Sequence, residues 1–429
     1  MPVLKPRVVH GGRRRRPSHL LPRLVVAACL LLAPPSRAAT VVTRLPGFDG
    51  ALPFRLETGY VGVDDATGAE LFYYLVESER SPRADPLVLW HSGGPRCSAL
   101  SALAFQIGPV MFAERRYDGA LPRLVRNPYS LTQVASILFV DSPVGTGFSY
   151  ACDPRGYDVG DISASLQMLT FLRKWFDDHP WYLSNPFYLG GDSYSGKMTP
   201  LIAQHVSEGG YIVGNPATGD KIDENSKIPY SHSFGIISDQ LYEAAVINCD
   251  GDYANPTNKL CSDVVQTIHD LKSEVDNSGI LDPEYSYYLS YFWANDNATR
   301  AALGIKEGTV TEWIRCKVSG ELPYTSDLPS SIECHLNLTT RGYRALVYSG
   351  DHDLIVPFSG TQAWIRSLNF SIVDDWRAWH LDGQAAGFTI TYANNLTFAT
   401  VKGGRHVVSE NRPKECFAIV KRWLNNEPL

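Results

Sequence analysis

The 429-residue sequence contains no C-x-x-C pair, which argues against zinc held by cysteine, and none of its motifs calls for a metal or cofactor. It also lacks any stripe of Lys and Arg interleaved with aromatics. With a formal net charge of only -6, that makes a nucleic-acid partner a poor fit. Internal repeats and low-complexity segments are absent. Charged residues make up 20% against 44% hydrophobic, so disordered and fibrous classes fall away and a large core is expected. The one prominent apolar stretch, Leu20 to Ala33, is too short to span a bilayer comfortably. It follows Arg13 to Arg16 and leads to Ser36-Arg37-Ala38-Ala39, the order of a secretory signal peptide over residues 1–39. The expected route is the secretory pathway, ending in the vacuole or outside the cell, with no membrane association after cleavage.

Secretion permits disulfides. Cys29 leaves with the signal peptide, and Cys97, Cys152, Cys249, Cys261, Cys316, Cys334 and Cys416 remain, an odd number that leaves at least one thiol free. Sequons at Asn297, Asn337, Asn369 and Asn395 fit glycosylation on the same route.

Gly59 to Val63 and Glu70 to Val76 read as a hairpin. Leu87-Val88-Leu89-Trp90, Ser136 to Val140 and Phe187-Tyr188-Leu189 are continuous apolar runs that suit strands covered on both faces. Between the last two, Ile162, Leu166, Leu169, Leu172 and Trp175 recur at helical spacing, and a further helical stretch runs through Leu201, Ile202 and His205. Such alternation predicts a mostly parallel sheet with crossover helices. From about residue 215 to 318 the pattern becomes polar, cysteine-bearing and helix-rich, which predicts an insertion capping the sheet. Residues 40–214 and 319–429 would form the two parts of the core. Arg344 to Gly350 and Phe398 to Lys402 restore strands, and Glu415 to Leu424 closes the chain as an amphipathic helix.

The strand Phe187-Tyr188-Leu189 runs through Gly190-Gly191-Asp192-Ser193-Tyr194-Ser195-Gly196 into a helix. That is close to a nucleophile elbow, although Ser195 stands where the second glycine of G-x-S-x-G belongs. A nucleophilic serine needs a base and a group to orient that base. Gly350-Asp351-His352-Asp353 and Gly403-Gly404-Arg405-His406 each follow a later strand, which gives the order Ser, Asp, His of an α/β-hydrolase. The turn Trp90-His91-Ser92-Gly93-Gly94-Pro95 supplies a second oxyanion donor, so the Gly94 and Tyr194 N–H groups form the expected pair.

These segments, with Leu45 to Gly50, Leu56 to Val61, Cys97-Ser98 and Val140 to Tyr150, resemble the serine carboxypeptidase family, specifically its plant serine carboxypeptidase-like branch. The resemblance implies an α/β-hydrolase fold and a triad of Ser193, Asp353 and His406, with Asp353 rather than Asp351 as the orienting acid. It also implies the disulfides Cys97 to Cys316 and Cys249 to Cys261. Family carboxypeptidases bind the carboxyl terminus of a peptide through an Asn and two Glu. Here those positions are Ser92, Gln106 and Asp192, so carboxylate recognition is expected to weaken. Trp90 and Gly93 of the same turn are expected to border the substrate. The branch with Asp before the nucleophile includes acyltransferases that use a glucose ester as donor and an alcohol as acceptor.

Arg96 replaces a glycine of the Gly-Gly-Pro-Gly-Cys turn, and Arg405 replaces the glycine before the histidine. Strain at the first, and repulsion of the imidazolium by the second, are expected to oppose catalysis. Relatives are longer at Glu208-Gly209-Gly210 and around Asp276 to Tyr285. Three readings follow: a carboxypeptidase, an acyltransferase, and a secreted relative that folds and binds without turnover.

Overall fold

The structure is a computed structural model and describes residues 39–113, 116–206, 209–280, 287–317, 320 and 322–429. The expected signal peptide, apart from its last residue, lies outside the described residues, as do residues 281–285 of the stretch from Asp276 to Tyr285.

Three strands, β1 (Thr40–Val42), β2 (Leu56–Asp64) and β3 (Ala69–Val76), form an antiparallel flank. They are followed by β4 (Leu87–His91), a small ribbon of β5 (Val110–Phe112) and β6 (Leu124–Arg126), and β7 (Ser136–Asp141). Next come β8 (Val159–Gly160), β9 (Phe187–Asp192), β10 (Gly210–Gly214), β11 (Tyr324–Thr325), β12 (Arg344–Gly350), β13 (Ile372–Leu381), β14 (Gln384–Tyr392) and β15 (Leu396–Val401). An 11-stranded sheet runs in the order β1-β2-β3-β7-β4-β9-β10-β12-β15-β14-β13. Its centre, from β7 to β15, is parallel, and both flanks are antiparallel. This is the α/β-hydrolase fold that the sequence pattern leads one to expect.

The central strands are apolar throughout because helices cover both faces. β4, β7 and β10 are buried at every residue. Helix α1 (Asp161–Asp178) crosses from β7 to β9 and buries Ala164, Met168, Phe171 and Trp175. Its buried stripe is rotated from the one the spacing predicts, since Ile162 and Leu166 are exposed. Each large side chain removed from water here contributes roughly 1.5–3 kcal/mol. After β9 comes α2 (Ser195–Ala203). The short link at Gly209-Gly210 does not break the sheet, because all five residues of β10 pair in register with both β9 and β12.

Between β10 and β12 lie α3 (Lys221–Asn225), α4 (Lys227–Ser233), α5 (Asp239–Cys249), α6 (Lys259–Lys272), α7 (Tyr288–Asn295), α8 (Asn297–Ala302) and α9 (Ile332–Thr340). Ile228, Ile237, Ala245, Val264, Val265 and Ile268 give this region a small core of its own. Helices α10 (Phe358–Ser367), α11 (Val408–Asn411) and α12 (Pro413–Leu424) complete the fold.

Candidate active site

At the carboxyl end of β9 the chain turns sharply into α2, and Ser193 occupies the left-handed region at φ 61°. A non-glycine residue there costs of order 1 kcal/mol or more. The turn is held by Ser193 N–H donating to Gly214 O at 2.9 Å, and by the Gly196 and Ala217 amides donating to Ser193 O at 2.9 and 3.0 Å. Ser195, the departure from the strict motif, donates its hydroxyl to His91 O at 2.6 Å and so ties the elbow to β4. Gly93 has no room for a side chain. A Cβ there would stand 2.6 Å from Asp192 O and 3.0 Å from Tyr194 N, so the two turns are in contact. Among the described residues neither the Gly94 nor the Tyr194 amide meets a backbone acceptor.

His406 Nε2 lies 2.7 Å from Ser193 Oγ, and its Nδ1 lies 2.8 Å from Asp353 Oδ2. Asp353 is fully buried, and its carboxylate accepts from the Ile355 amide at 2.8 Å, the Val356 amide at 3.2 Å and Asn215 Nδ2 at 2.8 Å. Asp351 faces away and accepts from the Gly403 amide at 2.6 Å. Burial acts to lower the pKa of His406. The Asp353 charge and hydrogen bond, with Asp192 and Glu410 behind them, outweigh that effect and hold it above the ordinary value.

Asn215 was not singled out by sequence reasoning. It directly follows β10 at φ 42°, bonds the Asp353 carboxylate and accepts from the Gly350 amide at 3.1 Å. An asparagine directly after a buried strand was the available signal.

Two cavities open at Ser193 and share Gly94 and Ile355. One, of about 580 Å³, contains His406, Ser92, Gly93, Gln106 and Asp192 together with Tyr287, Arg315 and Glu410, and Asp276, Ser278 and Arg405 also line it. The other, of about 500 Å³, is bordered by Tyr194, Lys197, Asp223 and Ser326. Burial pushes the Asp192 carboxyl up to about 7, against the Tyr348 hydroxyl that donates to its Oδ1 at 3.0 Å. Asp192 Oδ2 and Ser92 Oγ are buried without a hydrogen-bond partner among the described residues.

Gln106 lies in a single π-turn, Ala102–Gln106, and donates through Nε2 to Glu410 Oε1 at 3.2 Å. The Tyr287 hydroxyl donates to Glu410 Oε2 at 2.5 Å, and the Arg315 guanidinium sits 3.7 Å above the Tyr287 ring. Burial raises the Glu410 pKa. Glu410, Tyr287 and Arg315 come from three distant segments, and no local motif marks them.

Two expectations change, at Trp90 and at Arg405, while the strain expected at Arg96 is borne out. Trp90 does not border either cavity. It is fully buried in the core, where Gly190 leaves space for its ring. Arg96 adopts the positive φ, 69°, that the turn demands, but its guanidinium points away from both cavities. There it donates to Val144 O at 2.6 Å, Tyr157 O at 2.8 Å and Pro323 O at 2.6 Å, which fastens three loops together. Arg405 pairs with Asp276 at 2.6 Å, and the largest charge effects on His406 are those of Asp353, Asp192 and Glu410. The expected repulsion is thus neutralised by the acid beside it.

Cys97 stands at disulfide distance from Cys316, and Cys249 from Cys261, the pairings that the resemblance implies. Cys152, Cys334 and Cys416 lie outside these pairs. Asn297, Asn337, Asn369 and Asn395 are all exposed. Among the described residues no helix is long and apolar enough to cross a membrane, and no group of His, Cys, Asp and Glu is arranged to hold a metal.

The sequence model of the family described as serine carboxypeptidase matches residues 46–426. The chain is similar to Serine carboxypeptidase-like 17 of Arabidopsis thaliana, with 47% identity over 415 residues, 91% of this chain and 94% of the relative. It is likewise similar to Serine carboxypeptidase-like 11 of the same plant, with 43% identity, 95% of this chain and 99% of the relative. Among solved structures, Kex1(delta)p, a prohormone-processing carboxypeptidase from Saccharomyces cerevisiae, shares the fold. Its TM-score is 0.75 at 20% identity, covering 92% of this chain and 97% of that one.

Proposed function

The chain belongs to the serine carboxypeptidase family, and on that premise we propose that it transfers acyl groups through an ester formed on Ser193. Ser193 Oγ attacks the acyl carbonyl while His406 Nε2 takes its proton. Asp353 holds the imidazole by Nδ1 and stabilises the imidazolium that forms. The Gly94 and Tyr194 amides receive the oxyanion, a contribution of roughly 3 kcal/mol per donor. His406 then gives the proton to the leaving atom. In the second half it activates the acceptor hydroxyl, of water or of an alcohol, that attacks the acyl-enzyme.

Because His406 must protonate the leaving atom, the leaving group and later the acceptor belong in the cavity on its side. The acyl group belongs in the cavity beside Tyr194. The observation that carries the reading of the substrate is the content of the first cavity: Asp192, Glu410, Gln106, Ser92 and Arg315 stacked on Tyr287. Closely spaced carboxyl, amide and hydroxyl groups beside an aromatic ring suit a polyol. This favours a sugar ester such as a glucose ester as donor and an alcohol as acceptor.

A second reading, release of a carboxy-terminal residue from a peptide, is favoured by the raised pKa values of Asp192 and Glu410. A carboxyl that keeps its proton at weakly acidic pH can donate to a free carboxylate. Incubation with a blocked dipeptide and, separately, with a glucose ester plus an alcohol distinguishes the two. Transferred ester is the expected product, whereas free amino acid as the faster product would make the enzyme a peptidase.

The pH dependence has a definite sign. His406 accepts a proton only when neutral, and its pKa is raised, so kcat/KM falls as pH drops through a midpoint above the 6.5 of an ordinary histidine. Asp192 contributes to that rise. Asp192→Asn should therefore move the acid limb to lower pH in a kcat/KM profile, and an unmoved or rising midpoint would contradict this assignment.

A further inference from the structure

We infer that Arg405 is a positioning residue that fastens residues 276–280 across the two loops carrying Asp353 and His406 and so sets the aim of the His406 ring. The inference rests on His406 being the base, as proposed above, and it concerns what holds that base rather than what it does.

The segment bonds both loops through its backbone. His406 N–H donates to Ser278 O at 2.7 Å. On the other loop, Ile280 N–H donates to His352 O at 3.3 Å and Leu354 N–H to Asn277 O at 2.9 Å. A displacement of residues 276–280 would thus be felt at the residue before Asp353, at the residue after it, and at His406 itself.

Among the described residues, the side chains that hold the segment are bonded to one another. Asp276 Oδ1 accepts from the Ser278 amide at 2.9 Å and from the Ser278 hydroxyl at 2.7 Å, which makes a tight turn. Arg405 Nη2 donates to Asp276 Oδ2 at 2.6 Å and to Ser278 Oγ at 3.1 Å. The guanidinium lies directly over Gly279, where any Cβ would collide with it. Only 9% of the Arg405 side chain and 28% of the Asp276 side chain is exposed, so the pair is screened less than a fully exposed one. From the other end, the Arg405 amide donates to Asn411 Oδ1 at 3.0 Å, which joins the loop to α11. Arg405 is adjacent in sequence to His406, so its anchoring is transmitted over a single peptide unit. A shift of about 1 Å at a catalytic group is enough to cost up to 100-fold in rate.

The test uses Arg405→Gln, Arg405→Lys, Asp276→Asn and the Arg405→Gln/Asp276→Asn double variant of the full chain. Arg405→Gln and Asp276→Asn should each lower kcat on an activated aryl ester by roughly tenfold or more. The double variant should lose no more than the worse single one, and Arg405→Lys should recover most of the activity. The midpoint of the acid limb should stay in place, because the guanidinium acts on position rather than charge. Wild-type kcat in Arg405→Gln, losses that multiply, or a limb that moves up in pH would overturn the inference. Hydrogen exchange gives a readout independent of turnover. The His406 amide should exchange faster in Arg405→Gln while the β9 and β12 amides stay protected, and an unchanged His406 amide would also overturn it. Failure of Ser193 in the wild-type protein to react with a fluorophosphonate would instead strike the proposed function, leaving the exchange result to judge Arg405.

Discussion

Replacing Ser193 with alanine is expected to lower kcat/KM by roughly a millionfold on every substrate the wild-type protein accepts. The hydroxyl is the atom that forms the acyl bond, and its hydrogen bond is to His406 Nε2 at 2.7 Å. What remains is the contribution of substrate binding and the oxyanion amides, which still exceed water by a factor of roughly a thousand or more. Alanine inherits the same positive φ, and the turn is held by backbone bonds rather than by the hydroxyl. The folded state should therefore keep its unfolding temperature within a few degrees, which separates a chemical loss from a folding one. Measured in parallel on the esters and the dipeptide, an intact rate on any of them would mean that the reaction runs elsewhere in the molecule.

The next largest effect is expected at Asp353. Asp353→Asn should lower kcat/KM by roughly ten thousandfold. Asp353 Oδ2 accepts from both His406 Nδ1 and Asn215 Nδ2, and an amide cannot accept at both oxygens as a carboxylate does. The imidazole is then free to carry its proton on the nitrogen facing Ser193, and the imidazolium loses its nearest compensating charge. Since Asp353 is a main cause of the raised His406 pKa, the acid limb should also move to lower pH. The buried amides of Ile355 and Val356 lose a charged acceptor as well. A stability loss of about 1–3 kcal/mol should accompany the rate effect, measurable by denaturant titration. Asp351→Asn is the control: its carboxylate faces Gly403, and its replacement should leave the limb in place.

Much of this geometry was legible in the sequence. β4, β7, β9, β12 and β15 carry apolar runs because they lie in the interior of the sheet, so their ends could be located and Ser193, Asp353 and His406 found just beyond β9, β12 and β15. The β13–β14 hairpin went unnoticed for the opposite reason. It lies at the edge of the sheet, and exposed Ile372, Val373, Trp376 and Phe388 are mixed with charge along it. Contacts between distant segments were the other blind spot. Glu410 meets Gln106 across 304 positions and Tyr287 across 123, and no local pattern records such meetings.

The two arginines show the limit of reading a charge by its neighbour in sequence. Arg96 and Arg405 looked like obstacles to catalysis, yet carbonyl oxygens accept from the two terminal nitrogens of Arg96, whose Nε stays buried without a partner among the described residues, and Asp276 accepts from Arg405. The silent-relative reading drew its support from those two residues and from the short segments. Of these, the link at Gly209-Gly210 leaves β10 fully paired.

Acyl-enzyme formation on Ser193 is read most directly by treating the purified protein with a fluorophosphonate and mapping the adduct by mass spectrometry. A single adduct on Ser193, formed by the wild type and lost in the His406→Ala variant, is the predicted result. No adduct, or one placed on another residue, would contradict it.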